Sequence, residues 1–123
     1  MSLQNKKILI VEDDEMNFIY LSQIFKIAKI AIMRAKTGYE AIDLLKNDTE
    51  IDLILMDIQL PDISGIEVTE KIRKFSPDLP IIAQTAARGD HDKDDILNAG
   101  CTDVLVKPFR MDELLTKIKE YLT

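Results

Sequence analysis

The sequence predicts an α/β domain, a doubly wound (βα)₅ sandwich of three layers around a parallel five-stranded sheet. Two observations predict it. Five short apolar, β-branched runs recur at 7–11, 30–35, 52–56, 80–84 and 102–106, with starts about 22 to 28 residues apart, the spacing that a helical crossover between parallel strands requires. Two of these runs, Ile8-Leu9-Ile10-Val11 and Leu53-Ile54-Leu55-Met56, are continuously apolar, as strands covered on both faces are.

Helix signals fill the intervals. Asp14 is placed to cap a first helix running to about Lys29, with Phe18, Leu21, Ile24, Phe25 and Ala28 as its inward stripe. Thr37 to Glu40 and Ser64 to Glu67 match the capping box, in which a hydroxyl and a carboxylate three residues on satisfy orphan amides reciprocally. They open helices that bury Ala41, Ile42 and Leu45, and Ile66 and Ile72. A fourth helix is expected from about Asp90 to Ala99, ended by Gly100 in a conformation glycine tolerates. A fifth starts near Arg110 and buries Leu114, Leu115, Ile118 and Leu122. Right-handed crossovers leave two main windings, an open sheet of order 2-1-3-4-5 or a plain Rossmann-like order. Five units are too few for a closed eight-stranded barrel.

Composition narrows the function classes. At 123 residues with 46% apolar content, the chain supports one core. Residues 6–123 are expected to form the domain, and residues 1–5 an N-terminal extension or cloning remnant. No apolar run approaches the roughly 20 residues of a membrane span. The lone Cys101 supports neither an intramolecular disulfide nor a cysteine metal site, and a cytoplasmic setting is expected. A net charge of -6 disfavours nucleic acid or an anionic membrane surface as the direct partner.

In open α/β sheets, ligands bind beyond the carboxyl ends of the strands, where strand order reverses. Strand 1 is followed by Glu12-Asp13-Asp14, strand 3 by Asp57, strand 4 by Thr85 and strand 5 by Lys107-Pro108. Two carboxylates about 4 Å apart repel by roughly 4 kcal/mol at an effective dielectric of 20, so the cluster needs protons, a cation or a lysine to persist. Lys107 supplies one charge. An all-oxygen, water-accessible donor set suits Mg²⁺. The same groups suit phosphoryl transfer: a carboxylate can accept a phosphoryl group, while cation, lysine and hydroxyl stabilise charge on the transferring oxygens.

Taken together, Glu12-Asp13, Met56-Asp57, Pro61-Asp62 with Gly65, Thr85-Ala86 and Lys107-Pro108-Phe109 resemble the signature of receiver domains of response regulators, in order and spacing, over nearly the whole chain. The resemblance implies the flavodoxin-like strand order 2-1-3-4-5. It also implies a phospho-acceptor at Asp57 and a Mg²⁺ site of Glu12, Asp13, Asp57 and the Gln59 backbone carbonyl. Thr85 and Lys107 would face the phosphoryl group, and the Lys107–Pro108 bond would be cis. The implied partner is a histidine kinase or a histidine phosphotransfer domain, with a possible dimer through helix 4, strand 5 and helix 5. The segment from Ile54 to Pro61 is similar to receivers of hybrid histidine kinases.

Two positions depart from the family pattern. Val104 stands where Phe or Tyr is frequent, so a rotating aromatic is not expected. Ala87 and Gln59 occupy positions that set the rate of hydrolysis, and slow self-dephosphorylation is expected. Other residues read more plainly. Asp14 is an N-cap rather than a metal ligand, Asp62 a turn residue, His91 a solvated side chain, and Cys101 a small core or loop residue. The run from Asp90 to Asp95 caps helix 4. Met16 and Phe18, where exposed, would meet a docking helix bundle. A metal-dependent phosphatase would carry a second acid two residues after its nucleophile, where Gln59 stands. A phosphate-independent scaffold would not need the full acceptor set, and neither glycine-rich nucleotide motif occurs. The expected function is therefore a phospho-acceptor switch, not an enzyme with turnover.

Overall fold

The structure is a computed structural model that describes Leu3 and residues 5–48, 50–86 and 93–122. Its elements are β1 (Lys7–Val11), α1 (Glu15–Ala28), β2 (Ala31–Ala35), α2 (Gly38–Asn47), β3 (Leu53–Asp57), α3 (Gly65–Arg73), β4 (Ile81–Ala86), α4 (Lys93–Asn98), β5 (Asp103–Lys107) and α5 (Met111–Leu122). The strands form one parallel sheet of order β2-β1-β3-β4-β5, the winding implied by the family resemblance.

Alternation along the central strands sorts the core into two layers. Ile8, Ile10, Leu53, Leu55, Ile82 and Leu105 face α1 and α5, whose Leu21, Phe25, Leu114 and Ile118 cover them. Leu9, Val11, Ile54, Met56, Ile81 and Ala83 face α2, α3 and α4. β3 is buried along its whole length, as its uninterrupted apolar run requires. Leu3 is also buried, in the α1–α5 layer.

Four of the five strands begin one residue later than their apolar runs. The backbone partners explain two of these shifts. The Ile30 amide closes the α1 terminus on Phe25 O at 3.0 Å rather than joining the ladder. Asp52 brackets the head of β1, its amide on Lys7 O and its carboxylate taking the Lys7 amide, both at 2.8 Å. At the other end β4 reaches Ala86 because Ala86 pairs with Lys107.

Asp14 caps α1 by accepting from the Asn17 amide. The two capping boxes form only in part. Thr37 accepts from the Glu40 amide, but Glu40 reaches back to the Lys36 amide, one residue before the cap. Ser64 accepts from Ile66 instead of Glu67. Within the expected stripes, Phe18, Ala28, Ile66 and Leu115 are half-buried, while Val68 and Thr69 are buried on α3 without having been expected there. Gly100 ends α4 at φ 118°. The expected start of this helix at Asp90, and Ala87 and His91, lie outside the described residues.

Candidate active site

The alternation that builds the α1–α5 core also builds the site. Continuing Ile8-Ile10, Leu53-Leu55 and Leu105 by two residues each gives Glu12, Asp57 and Lys107, all on one face of the sheet at its carboxyl edge. Glu12 is fully buried and Asp57 is 6% exposed. Asp13 is exposed at the rim, and one oxygen from each of these three carboxylates lies within 4.8 Å of the others. Lys107 Nζ stands 3.6 Å from Asp57 Oδ2 and 3.9 Å from Glu12 Oε1. The Lys107–Pro108 peptide bond is cis, as expected.

These distances are ion-pair contacts longer than hydrogen bonds, so one lysine leaves the acidic group undercompensated. The consequence appears at Glu12. Its carboxyl is pushed up to about 7 by burial first, then by sharing a hydrogen bond with Asp57 and by the charge of that carboxylate, against the lowering effects of Asn17 and Lys107. The donor set fits a hard divalent cation. Oxygens around one Mg²⁺ lie at most about 4.2 Å apart, and a cluster within 4.8 Å closes to that span by small side-chain movements. Asp57 is held from the other side by the Gln59 amide, which donates to Oδ1 at 3.0 Å.

Backbone anchors keep these groups in place. Arg34 donates from Nε and Nη2 to the Glu12 carbonyl at 3.1 and 3.0 Å, pairs with Glu15 at 2.8 Å and lies 4.2 Å over the Phe18 ring. Gly65 presses the start of α3 against the acceptor strand, so closely that a Cβ there would sit 2.4 Å from the Asp57 carbonyl. Asp62 ties the β3–α3 loop to the head of α2, accepting from the Gly38 and Tyr39 amides at 2.8 and 2.9 Å. Desolvation opposes its ionisation, but the backbone amides of Tyr39, Gly38 and Ile63 outweigh it and hold the carboxyl below its ordinary value. The turn expected at Asp62 is thus also a clasp between two loops.

Of the residues expected at the site, Glu12, Asp13, Asp57 and Lys107 come together, and Gln59 meets them through its backbone amide on Asp57. Thr85 lies at the same edge but off the cluster, its hydroxyl 3.5 Å from the Ala86 carbonyl, too long for a strong bond. Asp14 caps the helix, as expected. Two residues of the site had not been singled out. Asn17 Nδ2 hydrogen-bonds Glu12 Oε1 and lies 3.3 Å from Gln84 Oε1. The signals were present in the sequence: Asn17 continues the inward stripe of Leu21 and Ile24 toward the helix start, and Gln84 follows Ile82 by two in the otherwise apolar run 80–84.

The description "Response regulator receiver domain" belongs to the family model that matches residues 8–119. The polar-differentiation response regulator DivK of Brucella ovis is 36% identical over 119 residues, covering 95% of this chain and 96% of that protein. The receiver domain of Ssk1 from Saccharomyces cerevisiae, solved with the histidine phosphotransfer signaling protein Ypd1, superposes with a TM-score of 0.89 at 34% identity over 99% of this chain and 92% of the other. The receiver domain of a Pseudomonas aeruginosa sensor histidine kinase, with a magnesium ion coordinated in its active-site cleft, gives 0.89 at 30% identity over 96% and 98%. In sequence, fold and site layout, this chain belongs to the receiver domain family of two-component response regulators.

Proposed function

We propose that Asp57 is the phospho-acceptor and that Glu12, Asp13, Asp57 and the Gln59 carbonyl hold the Mg²⁺ the reaction uses. The observation that carries the reading is the buried Asp57 carboxylate, with one oxygen on the Gln59 amide and the other facing Lys107, beside two more carboxylates. Bound among them, a divalent cation neutralises charge on the acidic cluster and on the transferring oxygens. An Asp57 oxygen attacks phosphorus, the phosphorus–nitrogen bond of a donor phosphohistidine breaks, and the imidazole leaves with the bond's electron pair. Lys107 then pairs with a phosphoryl oxygen, and Thr85 turns its hydroxyl from Ala86 toward the same group.

The donor is a cytoplasmic histidine kinase or histidine phosphotransfer domain. A groove beside the site, lined by Asp14, Asn17, Tyr20, Lys107, Pro108 and Phe109, gives its imidazole a route to Asp57. The domain assists its own phosphorylation and slow dephosphorylation, and signals or dimerises through α4, β5 and α5, where Leu97, Val106 and Met111 are exposed. Incubation with acetyl phosphate and Mg²⁺ tests the assignment by intact mass. Wild type gains one phosphoryl group and Asp57→Asn gains none; modification that persists in the variant places the acceptor elsewhere.

A further inference from the structure

Gln84 is fully buried in a strand whose other inward residues are apolar. It pairs in register with Asp57 and belongs to the face that carries Glu12 and Lys107. Its side-chain oxygen is 3.3 Å from Asn17 Nδ2, while its Nε2 is buried without a hydrogen-bond partner among the described residues. A methionine or leucine would fill this place with no unpaired donor, so the amide costs stability where it stands.

The Asn17 amide that Gln84 meets is the one that donates to Glu12 Oε1. The other Glu12 oxygen accepts from the Asp14 amide at 3.2 Å. Both oxygens of this buried carboxylate are therefore oriented from the first turn of α1, and Gln84 on β4 is what Asn17 rests on. The link joins three elements, β1, α1 and β4, and adds to the Asp14 amide a polar tie that reaches across to β4.

We propose that Asn17 and Gln84 form a positioning pair, in which Gln84 fixes the Asn17 amide and Asn17 fixes Glu12 for the divalent cation. Neither is a ligand; both act through Glu12. The inference rests on the assignment of the acidic cluster as the Mg²⁺ site, and its test separates the two.

Mg²⁺ titrations followed by amide NMR, with metal-free thermal unfolding alongside, would be run on wild type, Asn17→Leu, Gln84→Met, the double variant and Asp13→Asn. Loss of an outer partner of a metal ligand lowers affinity about 10-fold or more. Asn17→Leu and Gln84→Met are each expected to weaken Mg²⁺ binding by that factor, and the double variant to be no weaker than Asn17→Leu alone, because Gln84 works through Asn17. Metal-free Gln84→Met is expected to melt no lower than wild type, which a merely structural role for the amide does not combine with lost affinity. In wild type the side-chain amide resonances of both residues are expected to shift on Mg²⁺ saturation, a measurement that needs no variant. Affinity within about twofold of wild type in Gln84→Met, the scatter of independent sites, overturns the positioning pair, as do unmoved amide resonances or losses that add in the double variant. Absence of Mg²⁺ binding in wild type, or full affinity in Asp13→Asn, overturns the metal-site assignment instead.

Discussion

Glu12 combines complete burial with a neighbouring carboxylate, and burial followed by Asp57 raises its carboxyl from 4.5 to about 7. A carboxyl whose native value lies above its unfolded one binds its proton more tightly when folded. Its contribution to stability is therefore complete below pH 4.5 and is lost as the pH rises to about 7. Above that range the metal-free domain carries a cost on the order of 3 kcal/mol, which a bound cation relieves. Removing the titrating group exposes the trade. Metal-free Glu12→Gln is expected to melt several degrees above wild type at pH 8 and to bind Mg²⁺ about 10-fold more weakly. Because the metal requires the ionised form, Mg²⁺ binding at pH 6 is expected to release a proton and at pH 8 almost none. Calorimetry in two buffers of different ionisation enthalpy checks this, and identical heats at pH 6 would contradict it.

The elements hold the site through close backbone approach as much as through side chains. At Gly65 an added Cβ would meet the Asp57 carbonyl at 2.4 Å and the Ile58 Cα at 2.8 Å, both backbone atoms. Neither can yield without moving α3 away from β3. Gly65→Ala is expected to destabilise the domain by about 1–3 kcal/mol and to weaken Mg²⁺ binding, because the strand it displaces carries Asp57. Urea unfolding with and without Mg²⁺ measures both effects, and a neutral Gly65→Ala would show that the loop has room to spare. Gly65 entered the sequence reading as part of a motif; the contact that requires glycine there spans two elements and is not written in either. The same boundary recurs elsewhere. The carboxyl ends of the apolar runs were enough to place Glu12, Asp57 and Lys107 at one edge, and the stripe of α1 was enough to bury Leu21, Ile24 and Phe25. Thr37 and Ser64 were legible as caps, but the partners of Glu40 and Ser64 were not, since one residue of slack in the first helical turn decides which amide is reached. Gln84 carries a signal in its two-residue spacing from Ile82, but it closes its apolar run like a strand end, and its role shows only when Asn17 is brought opposite it.

At the scale of the molecule, the sheet separates chemistry from packing. Glu12, Asp57, Gln84 and Lys107 project toward α1 and α5, while Val104, on the opposite face, is 7% exposed and sealed in the core with Ile96 of α4. A side chain packed there has no ring to swing, and in the function proposed here the movement of the α4–β5 surface starts instead from Thr85 at the β4 end. In the function proposed here the donor approaches from the α1 side, where the groove of Asp14, Asn17 and Tyr20 opens beside Lys107. Met16 is 75% exposed, and Ile19 and Tyr20 are 47% and 41% exposed, an apolar strip on the first two turns of a helix that starts beside Asp13 and Asp14. An amphipathic helix of a phosphotransfer bundle fits such a strip, and central apolar contacts of this kind cost more than about 1 kcal/mol when lost. Met16→Glu and Ile19→Lys are therefore each expected to slow phosphoryl transfer from a phosphohistidine protein at least about fivefold. Both should leave phosphorylation by acetyl phosphate, which needs no docking face, near the wild-type rate. A variant slowed equally with both donors would mean that the change reached the chemistry of Asp57, and undiminished transfer from the protein donor would move the docking face off α1.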